Sequence, residues 1–175
     1  MPVFQLVPHP DHPPLAVRGV DVEVGVRVGG VFLTYRVAGA EKMLVPAQTA
    51  PARADELWRT TCFELFLGFD DEERYVEFNF SPSTRWAAYA FDGYREGMAT
   101  LDRDAPPRIE RLADGVAADC DLAGLPHGEL RMALTAVIEE EGGVRSFWSL
   151  GHPPGKPDFH HPACFDARLP AVGWA

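Results

Sequence analysis

Between Gly19 and Ala38 the chain alternates apolar and polar positions with a period of two. Val20, Val22, Val24, Val26 and Val28 are interleaved with Asp21, Glu23, Gly25 and Arg27, the spacing that puts successive side chains on opposite faces of a strand. This valine row predicts a half-buried strand. Gly29-Gly30 supplies a two-residue hairpin signal, with Val31 to Ala38 as the returning partner. Further along, "CFELFLGF" (62–69) and "RYVEFNFSP" (74–82) are joined by the acidic turn "DDEE", and "TRWAAYAFDGY" (84–94) extends the same meander. "PRIERLADGVAADCDL" and "GELRMALTAVIEEEGGVRSFWSLG" predict four more strands in two hairpins, turning at Asp114-Gly115 and Gly142-Gly143, although 129–141 also fits a helix.

The remaining segments read as connections. Residues 41–58 form a loop with one helical turn before Trp58, 95–107 a long polar loop, and 152–175 a proline-rich tail holding at most a short terminal strand. Short strands separated by turn signals predict an all-β fold of two packed antiparallel sheets, a β-sandwich. A length of 175 residues with 46% hydrophobic content fits one domain over 1–175.

A formal net charge of −10 argues against nucleic acid or an anionic membrane as partner, because phosphate binding needs clustered Lys and Arg. Cys62, Cys120 and Cys164 are odd in number and lack C-x-x-C spacing, which predicts neither a disulfide framework nor a zinc site. The opening "MPVFQLVPHPDHPP" has no basic segment followed by an apolar run, and no stretch approaches the ~20 apolar residues of a membrane span. A cytoplasmic protein is the expectation.

The period-two rule raises a chemical question in the central meander. Phe63, Leu65 and Leu67 share one face of their strand, and Val76, Phe78 and Phe80 one face of the next. If these rows face the core, then Glu64, Tyr75, Glu77 and Asn79 gather on the opposite face. That would be an outer, concave sheet surface. In the third strand Arg85, Ala87, Tyr89 and Phe91 alternate with Trp86, Ala88, Ala90 and Asp92, and the sequence leaves open which row joins the polar face. Small alanines beside Trp86 would leave room there, with the indole as a wall. Trp58, Arg59, Tyr94, Arg95, Trp148 and the His160-His161 pair supply further aromatic and polar groups. Convergent polar side chains among aromatics are the ingredients of a sugar or cofactor pocket.

At these residues the chain resembles a known superfamily. "LWRTTCFELFL", "YVEFNFSPSTRWAAYAF" and the segments Phe78 to Met98 and His160 to Phe165 are similar to DOMON-like domains of bacterial proteins and to the neighbouring family-nine carbohydrate-binding modules. The resemblance implies a β-sandwich that binds sugar in some branches and haem in others. It departs at Thr60-Thr61, where family-nine modules often carry an Asp-Asp pair.

The favoured expectation is therefore a non-catalytic domain binding a carbohydrate or sugar-like small molecule. Three alternatives stand beside it: a haem-binding redox domain using Met98 with His152, His160 or His161; a protein-interaction module; and a glycoside-acting enzyme using Glu64 and Glu77. No dinucleotide fingerprint, P-loop, nucleophile elbow or H-E-x-x-H motif is present. No metal is expected, since adjacent histidines point apart on an extended chain. Oligomeric state is not indicated.

Overall fold

The computed structural model describes residues 1–171. In chain order the strands are β1 (Val3–Pro8), β2 (Gly19–Arg27), β3 (Gly30–Ala38), β4 (Met43–Leu44), β5 (Cys62–Gly68), β6 (Tyr75–Phe80) and β7 (Trp86–Phe91). They continue as β8 (Ala99–Thr100), β9 (Arg108–Leu112), β10 (Gly115–Asp121), β11 (Leu130–Glu140), β12 (Val144–Ser149) and β13 (Ala167–Leu169). Short 3-10 turns at Ala40–Lys42, Leu57–Arg59 and Pro162–Cys164 complete the elements, and among the described residues no helix is long and apolar enough to cross a membrane. The segment 129–141 is strand, not helix. Its β-branched and core-facing positions pair on both sides, with β5 and with β12.

All strands join one antiparallel sheet in the order β8-β7-β6-β5-β11-β12-β1-β2-β3-β10-β9, with β4 and β13 also on β11. A twisted sheet of this width curls on itself, because right-handed strand twist accumulates from neighbour to neighbour. The curl turns the inner rows of its two arms toward each other. Val22, Leu33 and Tyr35 from β2 and β3 share one core with Phe63, Leu65, Phe78 and Leu134 from β5, β6 and β11. The Tyr35 hydroxyl donates to the Glu64 carbonyl at 2.5 Å, which ties β3 directly to β5 across that core. Each large side chain removed from water there contributes about 1.5–3 kcal/mol.

Several details differ from the sequence expectation. The first hairpin turns at Val28-Gly29, one residue earlier than the glycine pair implies, since Arg27 pairs with Gly30 and Gly29 has φ 70°. Val20, Val22 and Val24 are buried, but Val26 and Val28 are exposed because the hairpin tip projects past the core. The long loop at 95–107 contains the short strand β8, paired to β7. The largest departure concerns the polar face, which is not an open outer surface. Loops and the tail cover it, and Phe66, Tyr75, Ala87, Phe91, Ala133 and Val137 pack there with Phe159 and Cys164 as a second apolar layer.

Candidate functional site

The register explains how the polar groups meet. Glu64 on β5 lies opposite Asn79 on β6 and Thr135 on β11. Glu77 on β6 lies opposite Phe66 on β5 and Tyr89 on β7. Glu64, Glu77, Asn79 and Tyr89 therefore project from four adjacent positions into the space beneath the covering loops. Glu64 is 2% exposed, Glu77 6% and Asn79 1%.

The same register settles the two rows of β7. Trp86 pairs with Phe80 and joins the main core, with the Arg53 guanidinium 4.3 Å from its ring centroid. It is not a wall of the polar face. Ala87, Tyr89 and Phe91 occupy that face instead, and the tyrosine replaces the indole as its aromatic group. Trp148 on β12 likewise faces the core, its indole N–H donating to Ser146 Oγ at 2.8 Å. A buried indole needs one partner, and Ser146 provides it.

Above the sheet lies a cavity of about 760 Å³. Glu64, Glu77 and Tyr89 line its sheet side; Asp55, Glu56 and Trp58 come from the loop before β5; Arg95, Met98 and Thr100 come from the loop after β7 and from β8; and Phe159 and His160 come from the tail. Phe91, Val137 and Phe147 complete apolar walls. A neighbouring cavity of about 410 Å³ shares Arg95 and Pro157 and is lined by Tyr94, Lys156, Asp158 and His161.

The covering segments are held in place by specific contacts. Arg53 donates to the Ala88 and Leu101 carbonyls at 3.0 and 2.7 Å, fixing the loop that carries Asp55. The Tyr89 hydroxyl then donates to Asp55 at 2.6 Å. On the other side Arg95, in left-handed backbone conformation at φ 56°, places its guanidinium on Asp158 at 2.7 Å. Tyr94 also donates to Asp158. The Arg95 N–H donates to the Tyr75 hydroxyl at 3.2 Å, and that hydroxyl lies 2.8 Å from His160 Nδ1. A phenol that accepts from a backbone amide has its own proton free for Nδ1. His160 Nε2 lies 3.8 Å from Glu77 Oε2.

The electrostatics follow from burial. Burial drives the Glu64 carboxyl well above the usual carboxylate range, the neighbouring Glu77 pushes the same way, and the hydrogen bond from Thr135, 2.9 Å, opposes them. Burial also lifts Glu77, to about 7, with Asn79 and Arg95 opposing. The Asn79 amide acts from a poorly aligned position, since among the described residues neither its nitrogen nor its oxygen has a hydrogen-bond partner. Burial and then Arg95 push His160 down to about 4, so near neutrality its contact with Glu77 is not an ion pair. Burial, then the hydrogen bond to Asp55, raises Tyr89 far above the ordinary phenol value. The cavity thus holds two carboxyls whose burial favours the protonated form and a neutral imidazole.

Of the twelve residues singled out in the sequence, Trp58, Glu64, Glu77, Arg95 and His160 line the main cavity. Tyr94 and His161 line its neighbour, and His161 also caps the 3-10 turn through Ala163 N–H at 3.1 Å. Tyr75 and Asn79 lie behind the lining on the same sheet face. Arg59 is not in the lining but touches two residues that are, pairing with Glu56 at 2.7 Å and lying 5.6 Å from the Trp58 ring centroid. Met98 shares the main cavity with His160, whereas His152 contacts the Val7 carbonyl at 2.9 Å and stacks edgewise on His9. Among the described residues no group of three His, Cys, Asp or Glu side chains is arranged to hold a metal ion. Tyr89, Asp55, Asp158 and Phe159 were missed. Pairing Glu77 with Tyr89 would have revealed the first, while the others sit on irregular loops with no periodic signal.

Known proteins illuminate the fold. No protein-family model matches the chain, and no curated protein matches it. Among solved structures the chain is similar to a crystal structure from Bacteroides uniformis described as a "putative carbohydrate-binding protein", with a TM-score of 0.63 and 16% sequence identity over 93% of this chain and 83% of that one. At that identity the likeness establishes a shared all-β architecture.

Proposed function

We propose that this chain is a non-catalytic ligand-binding domain that holds a carbohydrate or sugar-like small molecule in the 760 Å³ cavity. The observation that carries the reading is Glu77, 6% exposed and facing the cavity, to which no described residue donates within hydrogen-bond distance, His160 Nε2 lying 3.8 Å away. A buried carboxyl left in that state costs free energy that a bound hydroxyl or other donor would recover. The cavity size and its mixture of aromatic walls with a few convergent polar groups suit a small polyol. The fold similarity to a protein described as carbohydrate-binding supports the same reading. The arms of the curled sheet share one core, which supports reading the domain as sandwich-like, and the DOMON-like and family-nine relationship rests on the sequence resemblance alone.

The test is a thermal-shift and calorimetric screen against mono- and oligosaccharides. A ligand at a hundred times its dissociation constant should stabilise the fold by about 2.7 kcal/mol. Saccharide binding should weaken tenfold or more in Glu77→Gln and in Tyr89→Phe while both variants stay cooperatively folded without ligand. Saccharide binding that survives both substitutions would move the site elsewhere.

One observation favours a second reading, a glycoside-acting enzyme. Two neighbouring carboxyls with raised proton affinity, Glu77 near 7, have the character of a general acid paired with a second carboxylate. Turnover of aryl glycosides abolished by Glu64→Gln would establish it, and silence across a broad substrate panel would leave the binding role alone.

A further inference from the structure

The charges around the main cavity do not balance. Four carboxyl side chains line it, Asp55, Glu56, Glu64 and Glu77, against one guanidinium, Arg95. That guanidinium is already committed to Asp158 through hydrogen bonds of 2.7 and 3.2 Å. Glu56 is already paired with Arg59 at 2.7 Å. Among the described residues no Lys or Arg lies within ion-pair distance of Asp55, Glu64 or Glu77, and the one histidine near Glu77 is neutral. Asp55 and Glu64 each accept a single hydroxyl hydrogen bond, from Tyr89 and Thr135. Glu77 accepts none. Aromatic rings of Tyr89, Phe91, Phe147 and Phe159 make up much of the remaining wall.

Resting on the reading of this cavity as a saccharide site, we propose that it selects an amine-bearing ligand, an amino sugar in its ammonium form, over the neutral sugar of the same shape. An ammonium group carries three donors and no acceptor, which matches a wall that offers carboxylate oxygens and lacks a free cation. Its charge compensates Glu64 and Glu77, whose burial otherwise has no counter-ion, and ring faces beside it add cation–π attraction. A neutral hydroxyl can hydrogen-bond the same oxygens but cannot take the place of the protons that these buried carboxyls otherwise hold. The net charge of −10 on the whole chain adds a field that draws cations toward it.

The empty cavity supplies a second signature. Glu77 is faced by Glu64 from β5, Tyr89 from β7, Arg95 and His160 from the covering segments, and Asn79 on its own strand. In these surroundings it holds its proton up to about 7. An arriving ammonium group takes over the role of that proton, so binding below pH 7 releases protons to the buffer.

The experiment is isothermal calorimetry on the full chain at pH 6.5 with glucosamine, N-acetylglucosamine and glucose, and with their β-1,4-linked dimers, in two buffers of different ionisation enthalpy. Glucosamine and its dimer should bind at least tenfold more tightly than the acetylated and neutral members, with buffer-dependent heats that report proton release. Glu77→Gln should erase that preference by tenfold or more, and Glu64→Gln provides an independent variant of the same wall. Equal or tighter binding of glucose, lost in Glu77→Gln, overturns the selectivity while the cavity remains the binding site. Saccharide binding untouched by either substitution overturns the cavity reading as well, and the absence of binding by all six probes overturns both.

Discussion

Glu140 and Glu77 are both strand carboxylates removed from water, 0% and 6% exposed, yet they meet opposite fates. Glu140 ends the core-facing row of β11 and reaches across to the segment before β2, where it accepts the backbone N–H groups of Leu15, Ala16 and Val17 at 2.8, 2.6 and 3.1 Å. It is saturated by the protein itself, and it ties together segments more than 120 residues apart. Glu77 lies on the other face of the same sheet and, among the described residues, accepts nothing of good geometry. The difference shows how to separate a structural buried charge from a functional one. Burial does not distinguish them, but the count of donors already spent does.

The comparison is sharpest at Glu140. Glu140→Ala removes both carboxylate oxygens and leaves three part-buried or buried N–H groups without acceptors, so it should cost about 3–5 kcal/mol in urea unfolding. Against a typical total of about 5–15 kcal/mol that is severe. A loss below 1 kcal/mol would mean that water reaches those amides and that Glu140 is no staple.

Glu77 should behave in the opposite way. Its folded-state value near 7 lies above its ordinary 4.5, so between pH 4.5 and 7 the folded protein holds a proton that the unfolded chain has released. More protons bound in the folded state means that its contribution to stability falls as pH rises through this window, by about 3 kcal/mol in total. Below pH 4.5 both states are protonated and the penalty vanishes. Glu77→Gln removes the ionisation, so the variant should be about as stable as the parent near pH 4.5 and more stable by up to about 3 kcal/mol at pH 8. Burial lowers His160 to about 4, which contributes the opposite slope between pH 4 and 6.5. For that reason the measurement is the difference between parent and variant in denaturant titrations across this range. A difference that stays flat with pH would show that Glu77 ionises freely and is solvated through the cavity.

How much of this contrast the sequence carries depends on the distance over which each interaction acts. The meander from Cys62 to Phe91 was legible because period-two alternation is a local property, and it correctly placed Glu64, Glu77 and Asn79 on one face. The row of β7 was not, because Trp86, Tyr89 and Phe91 make both rows aromatic and only pairing with Phe80 decides between them. The cover over the polar face was hidden for another reason. Phe159 and His160 lie in a proline-rich tail with no periodicity, and nothing local says that it folds back onto β5 and β6. Glu140 was invisible too, since "IEEE" before a glycine turn reads as a solvated run and its partners are far away in sequence.

Thr135 probes an intermediate case. Glu64 accepts one protein hydrogen bond, from the Thr135 hydroxyl, which places it between the saturated Glu140 and the open Glu77. Thr135→Val keeps the side-chain shape and removes that donor, and the expected cost is about 1–1.5 kcal/mol at pH 7, below the Glu140→Ala loss. It should also raise Glu64 further, because the hydroxyl is what opposes burial there. If stability is unchanged while saccharide binding is lost, the hydroxyl serves the ligand more than the fold.

The smallest effect on stability is expected at Trp58, and it tests whether the cavity rim matters to anything but binding. Trp58 is exposed and lines the cavity, whereas Trp86 is buried in the core. Truncating Trp86 to alanine would cost about 3–5 kcal/mol through the void it leaves, but Trp58→Ala removes a side chain that is 46% exposed and leaves no buried void, and it should change stability by less than about 0.5 kcal/mol. If the cavity is the ligand site, losing an aromatic face at its mouth should still weaken saccharide affinity by about fivefold to tenfold, of the order of one aromatic contact of about 1 kcal/mol. The paired readout makes the result decisive. Reduced affinity at unchanged stability marks the rim as a contact surface, whereas destabilisation with unchanged affinity would make Trp58 part of the packing that holds the loop before β5 over the sheet.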